Sequence, residues 1–257
     1  MLRTLLICGL LAGLCGGLLA TGVAELAGEP AVNQAIAYEE AHTPSPPPGT
    51  PAEPELVSRD LQSTAGLLTA AGVYGLALGG LFALAFAWAY GRVSPGTGPA
   101  RTALWLAAIA FAVVYLVPYL KYPPNPPAVG DPDTIGRRTA LYLAMMWISI
   151  FGAIAAVRIR RLAAERWTSG TATLVAIGSF LVVIVIAGLA LPSVQEVPKE
   201  FPATTLWRFR EASFGMQATM WATIGLVFAG LAPRAMSGRS LVPWRDRAPR
   251  SAALGAD

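Results

Sequence analysis

Six apolar runs, each near the roughly 20 residues a helix needs to cross about 30 Å of hydrocarbon, constrain this chain more than any other feature. They span about 5–24, 65–90, 102–120, 139–157, 171–191 and 211–231. Inside lipid every backbone amide must find its partner within the segment or in a closed barrel. These Leu-, Ala- and Gly-rich runs lack the alternation of barrel strands, so helices are the available solution. The chain reads as all-α, a polytopic membrane helical bundle of about six transmembrane helices. With 54% hydrophobic and 13% charged residues it is too apolar to form a water-soluble domain of this length.

The first run follows Arg3 and so resembles a secretory signal, but it is too long for an h-region and reads as a retained helix. It carries Gly9, Gly13 and Gly17 at four-residue spacing, the small-residue pattern that lets two membrane helices approach backbone to backbone. Gly75 and Gly79 in the second run are the candidate counterpart. Cys8 and Cys15 lie in the same apolar run and read as small packing residues rather than a disulfide.

Between the runs, the segment Glu25–Ser63 holds seven acids, the only histidine and the stretch Pro44-Ser45-Pro46-Pro47-Pro48-Gly49, and is expected to be an irregular loop. The proline-rich stretch from Lys121 to Asp133 excludes any regular element, and Pro118 predicts a kink near the end of the third run. Arg158–Arg166 is expected as a basic turn, and Trp207-Arg208-Phe209-Arg210 as the lead into the sixth helix. Residues 1–235 form the expected membrane domain, and 236–257 a basic cytoplasmic tail expected to be disordered.

Charge sets the orientation. With the N-terminus placed in the cytoplasm, the segments on that side hold twelve arginines and three acids, a net charge of +9. The opposite segments hold seven cations and twelve acids, a net of −5. Basic residues are retained in the cytoplasm, so both termini are expected inside. This division also removes the case for nucleic acid, because the overall charge of +4 is not massed on one basic surface. Arg59, Arg137, Arg138, Arg208 and Arg210 fall on the acidic side, just ahead of returning helices. They are expected to take ion-pair or structural roles with acids of the same loops. The recurrence of arginine before each returning helix reads as three helical hairpin repeats.

Several chemistries are excluded. There is no Gly-x-x-x-x-Gly-Lys loop, and a single histidine cannot supply a bis-histidine haem site or an H-E-x-x-H zinc helix. The second to fifth helices carry no ionisable carboxylate between their ends, which removes a buried proton relay. A polar path would have to use Thr69, Tyr74, Tyr115, Tyr142, Ser149, Gln217, Thr219 or Thr223. On the acidic side Glu29, Glu39, Glu40, His42, Asp131 and Asp133 are the candidate cation ligands, since divalent metals take carboxylate and imidazole donors. Each has a plain alternative: solvation for His42, helix capping for Asp131 ahead of Pro132, and neutralisation of arginine for the glutamates.

Four stretches carry a family resemblance: Gly28-Glu29-Pro30 with Ala37-Tyr38-Glu39-Glu40, Gln62-Ser63-Thr64-Ala65-Gly66, Lys121-Tyr122-Pro123-Pro124-Asn125-Pro126-Pro127 through Gly136-Arg137-Arg138-Thr139-Ala140, and Phe201-Pro202-Ala203-Thr204 through Trp207-Arg208-Phe209-Arg210. Together they resemble the CbtA family, whose members are described as probable cobalt transporter membrane subunits. The resemblance implies a non-enzymatic multi-pass protein of the bacterial cell (inner) membrane that takes up cobalt as cargo, with no resident cofactor. It also implies a small single-helix partner, CbtB, with a histidine-rich end. On this reading the acidic loops gather the cation, which passes between glycine-rich helices. A non-transporting membrane scaffold is the alternative, and an enzyme that clamps a lipid-linked phosphate with the acidic-side arginines is a third. The threading itself is open to test: a cysteine replacing Asn125 should react with a membrane-impermeant maleimide added to intact cells, and one replacing Arg166 should react only after the membrane is opened.

Overall fold

The computed structural model describes residues 1–43, 57–93 and 96–238. The Pro44–Gly49 stretch and nearly all of the basic tail lie outside the described residues. Six helices are long and apolar enough to cross a membrane: α1 (Leu2–His42), α2 (Arg59–Ala89), α3 (Pro99–Lys121), α4 (Pro132–Ala164), α5 (Ser169–Ala190) and α6 (Ala203–Met236). No strand occurs among the described residues.

The helices run well past the apolar runs that seed them. The 41 residues of α1 span about 60 Å at 1.5 Å per residue, roughly twice the hydrocarbon thickness. The irregular loop expected from Glu25 onward is therefore corrected: the chain stays helical to His42 and is helical again from Arg59. Its composition explains this, because Ala, Glu, Gln and Leu dominate Ala24–His42 and are strong helix formers whatever their polarity. Likewise Arg158, Arg160 and Arg161 lie within α4, and the residues from Trp207 to Arg210 lie within α6.

Two prolines are absorbed by one device. Pro30 and Pro118 each follow a widened π-turn, Ala24–Gly28 in α1 and Phe111–Leu116 in α3. A helical proline has no N–H to give and crowds the carbonyl four residues back. In both helices that carbonyl, of Leu26 or Val114, falls inside the widened turn, where the regular ladder is already interrupted.

Packing is uneven. Helix α1 lies between α2 and α6, α6 also packs on α3, and α4 packs on α5. The main core gathers Leu5, Cys8 and Ala12 of α1, Phe82 and Phe86 of α2, Ala103 and Ala107 of α3, and Met220, Ile224 and Phe228 of α6. A second, smaller core of Val117, Tyr122, Met145 and Ala187 joins the end of α3 to α4 and α5. Of the three hairpins read from the sequence, α1–α2 and the acidic ends of α3–α4 pack as pairs, whereas α5 leans on α4 and not on α6.

The α1–α2 contact is backbone against backbone. A Cβ at Gly13 would fall on the Gly75 carbonyl oxygen and 2.9 Å from the Gly79 Cα. One at Gly9 would meet the Gly79 carbonyl oxygen, and one at Gly17 the carbonyl oxygen of Ala71. The descending partners identify an antiparallel pair in which no side chain fits between the helices. Gly13→Leu should lower the unfolding temperature of the detergent-solubilised protein far more than Gly22→Leu, where a Cβ meets nothing within 4 Å. The difference should be on the order of 1–3 kcal/mol or more, the cost of overpacking a filled interior.

Candidate functional site

The acidic end is ordered by the parts of the helices that leave the apolar region. Ala35 of α1, Val129 of the α3–α4 loop and Phe201 of the α5–α6 loop form a small core, with Tyr38 edge-on to Phe201 at 5.0 Å. Thr205 donates to Gln34 at 2.9 Å, fastening α6 to the α1 extension. Arg59 at the start of α2 pairs with Glu29 and also reaches Asn33 at 3.3 Å. Loop, stalk and helix ends thus form one cap.

Beneath the cap, where α3, α4 and α6 diverge, lies a cavity of about 510 Å³. Tyr115, Tyr119 and Tyr122 line it from α3 and the loop that follows, Arg138, Thr139 and Tyr142 from α4, Arg210 from α6, and Asn125 and Glu196 from the loops. The π-turn and its flanks place Phe111, Tyr115 and Tyr119 on one face of α3. There the rings of Tyr115 and Tyr119 lie 5.4 Å apart, and Phe111 meets Phe214 of α6 edge-on at 5.7 Å.

The polar groups of this cavity divide into occupied and free. Glu196 holds one wall: its Oε2 accepts from the Asp131 N–H at 3.1 Å and the Thr134 hydroxyl at 2.9 Å, and lies 3.4 Å from Arg138 Nε. That Nε is in ion-pair reach but has no aligned hydrogen bond. The Arg138 guanidinium covers Gly130, whose φ of +119° calls for glycine there. Tyr122 donates to the Pro192 carbonyl at 2.7 Å and Tyr119 to the Arg210 carbonyl at 3.1 Å. Arg210 donates to the Pro124 carbonyl at 3.3 Å and to Asn125 Oδ1 at 2.9 Å, and has no carboxylate partner among the described residues. The Tyr115 hydroxyl is buried without a hydrogen-bond partner.

The candidate cation ligands are not brought together. Among the described residues, no three His, Cys, Asp or Glu side chains gather into a group able to hold a metal ion. Glu29 is committed to Arg59. Glu39, Glu40 and His42 are exposed at the far end of α1, where His42 stacks on Tyr38 at 4.0 Å and its Nδ1 lies 2.8 Å from the Tyr38 carbonyl. Asp131 caps the turn that opens α4 by accepting from the Asp133 N–H at 2.9 Å, and Asp133 occupies that first turn. Arg137 and Arg208 are exposed and form no ion pair with described residues. Tyr119, Tyr122, Asn125 and Thr139 line the cavity although residue type alone did not single them out. The aromatic spacing Phe111, Tyr115, Tyr119, running into the proline-rich loop, was the available signal.

A family model described as "Probable cobalt transporter subunit (CbtA)" matches residues 2–233, and the chain belongs to that family. No curated protein and no solved structure matches it.

If Glu196 is the tie between the two loops, Glu196→Ala should speed amide hydrogen exchange at 131–134 and leave the α1–α2 pair protected. Stability should fall by about 1–3 kcal/mol, since a largely covered Arg138 loses its counter-charge.

Proposed function

We propose that this CbtA-family chain forms the membrane passage of a cobalt importer, with its acidic end outside the cell and the cavity between α3, α4 and α6 as the entrance. One observation carries the reading. Each of these helices bears a polar cavity-lining residue and, deeper on the same face, a buried polar atom with no partner. On α4, Tyr142 is followed seven residues on by Ser149, and on α6 Arg210 is followed seven residues on by Gln217. On α3, Tyr119 is preceded four residues back by Tyr115. Seven residues are two helical turns, about 10 Å of depth.

Unpartnered hydroxyl and amide groups inside a bilayer cost on the order of 1–3 kcal/mol or more each. Such groups persist on facing helices where water or a passing solute completes their hydrogen bonding. The seam offers neutral oxygens and carries no carboxylate trap, which suits passage better than storage. An inside-negative membrane potential contributes about 2.3 kcal/mol per charge per 100 mV, so a dication needs no other source of energy to move inward. Glu39, Glu40 and His42 on the exposed stalk serve in this reading as a diffuse attractor that raises the local cation concentration. Glu29, Asp131 and Asp133 keep the cap in shape. A single-helix partner rich in histidine would supply the imidazoles that this chain lacks.

Radiolabelled cobalt uptake tests the assignment. Gln217→Leu and Ser149→Leu should each cut the initial rate about tenfold or more at equal membrane abundance. The combined change of Glu39, Glu40 and His42 to alanine should lower it only severalfold, with the loss disappearing at high salt. Full uptake in the Gln217→Leu variant would remove the seam as the path, and a scaffold that passes no cobalt would then be the better reading.

A further inference from the structure

The charge in the entrance cavity runs opposite to the charge around it. Around it, the loops and helix ends of this side carry more acids than cations, spread rather than gathered. Inside the cavity stand two guanidinium groups, Arg138 and Arg210, against one carboxylate, Glu196, which is already spent on Arg138, the Asp131 N–H and the Thr134 hydroxyl. Arg210 has only the neutral oxygens of Pro124 and Asn125, taken by its Nε and Nη2. Its Nη1 donors remain unassigned. A second unused group lines the same cavity from α3: Tyr115 is 9% exposed and its hydroxyl has no partner. A bare dication at this point would face an uncompensated positive charge in a partly dry site, where like charges about 4 Å apart repel by several kcal/mol.

We infer that the cavity is an oxyanion-binding site, with Arg210 as its charged fork and Tyr115 as a second donor. The ligand is a carboxylate or phosphate group, carried either on a chelate of the transported cation or on an anionic lipid headgroup. The chelate source rests on the transport reading given above. A planar carboxylate matches the guanidinium fork, and four tyrosine rings provide walls against which an organic chelator can lie. The oxyanion docks at the mouth and goes no further, while the cation it delivers moves on. The field that draws the cation inward repels the oxyanion, and the seam beyond holds no further positive group.

The test uses the whole chain in nanodiscs of pure phosphatidylcholine, titrated calorimetrically with citrate, with the one-to-one cobalt–citrate complex and with cobalt chloride. The wild type should bind citrate and cobalt–citrate. Arg210→Gln should weaken both about tenfold or more, Arg210→Lys should restore part of the loss, and Tyr115→Phe should weaken binding severalfold without changing the unfolding temperature. In parallel, discs containing phosphatidylglycerol are analysed by native mass spectrometry. Retention of that lipid by the wild type but not by Arg210→Gln assigns the oxyanion to a headgroup, and citrate binding in pure phosphatidylcholine assigns it to a chelate. If the wild type binds neither, or if Arg210→Gln binds both unchanged, the inference is overturned. Cobalt uptake that stays intact in that event leaves the transport reading standing, while loss of all cobalt uptake with oxyanion binding preserved overturns transport alone.

Discussion

The arrangement depends on the close approach of α1 and α2, where glycines let one backbone rest on the other. In lipid there is no hydrophobic force between apolar helices, so contact area and closeness must supply the association. Gly9, Gly13 and Gly17 against Gly79, Gly75 and Ala71 provide a contact that no side chain can occupy. Helix α1, fixed on that side, presents its other face to α6, where Gly16 lies against Met220. Helix α6 in turn holds α3, with Gly225 against Ala107. The remaining pair, α4 and α5, joins this block chiefly through the acidic end of α3, and the cavity opens where the two parts diverge.

That asymmetry bears on where the buried unpartnered polar groups lie. Within the glycine-built block, small residues at the closest contacts and large apolar side chains such as Phe82, Phe86 and Phe228 form a mostly apolar core. Between the block and α4 the contacts are made by larger, partly polar side chains such as Tyr115, Tyr142 and Met145, and there buried oxygens are left without partners. The cap above keeps this junction in register through three loop-to-helix ties: Glu196 to α4, Tyr122 to the end of α5, and Arg210 to the proline-rich loop. Of the acids that look from composition like a metal trap, Glu29, Asp131 and Glu196 are spent on this cap.

Much of the fold was legible because crossing a bilayer imposes a length and a hydropathy that few other structures share. All six spans can be read from the sequence in this way. Their ends cannot, since polarity marks where lipid stops and not where the helix stops. Glu25 to His42 is polar and also strongly helix-forming, so a reading by hydropathy alone turns a stalk into a loop. The cavity was only partly legible. Tyr115, Tyr142, Ser149 and Gln217 stand out as polar residues in apolar runs. The value of Asn125 and Glu196 instead comes from contacts across 85 and 65 residues of sequence, Asn125 with Arg210 and Glu196 with Asp131, which no local pattern encodes.

Transport by this chain needs a polar passage from the acidic end down between α3, α4 and α6. Sided cysteine accessibility tests it most directly, in a background where Cys8 and Cys15 are replaced by alanine. A cysteine at Ser149 should react with a charged, water-soluble methanethiosulfonate applied from the acidic side, and cobalt in the medium should slow the reaction. A cysteine at Val182, exposed near the middle of α5, should stay unreactive. If the Ser149 position is as inert as Val182 while a cysteine at Asn125 labels readily, there is no passage below the cap.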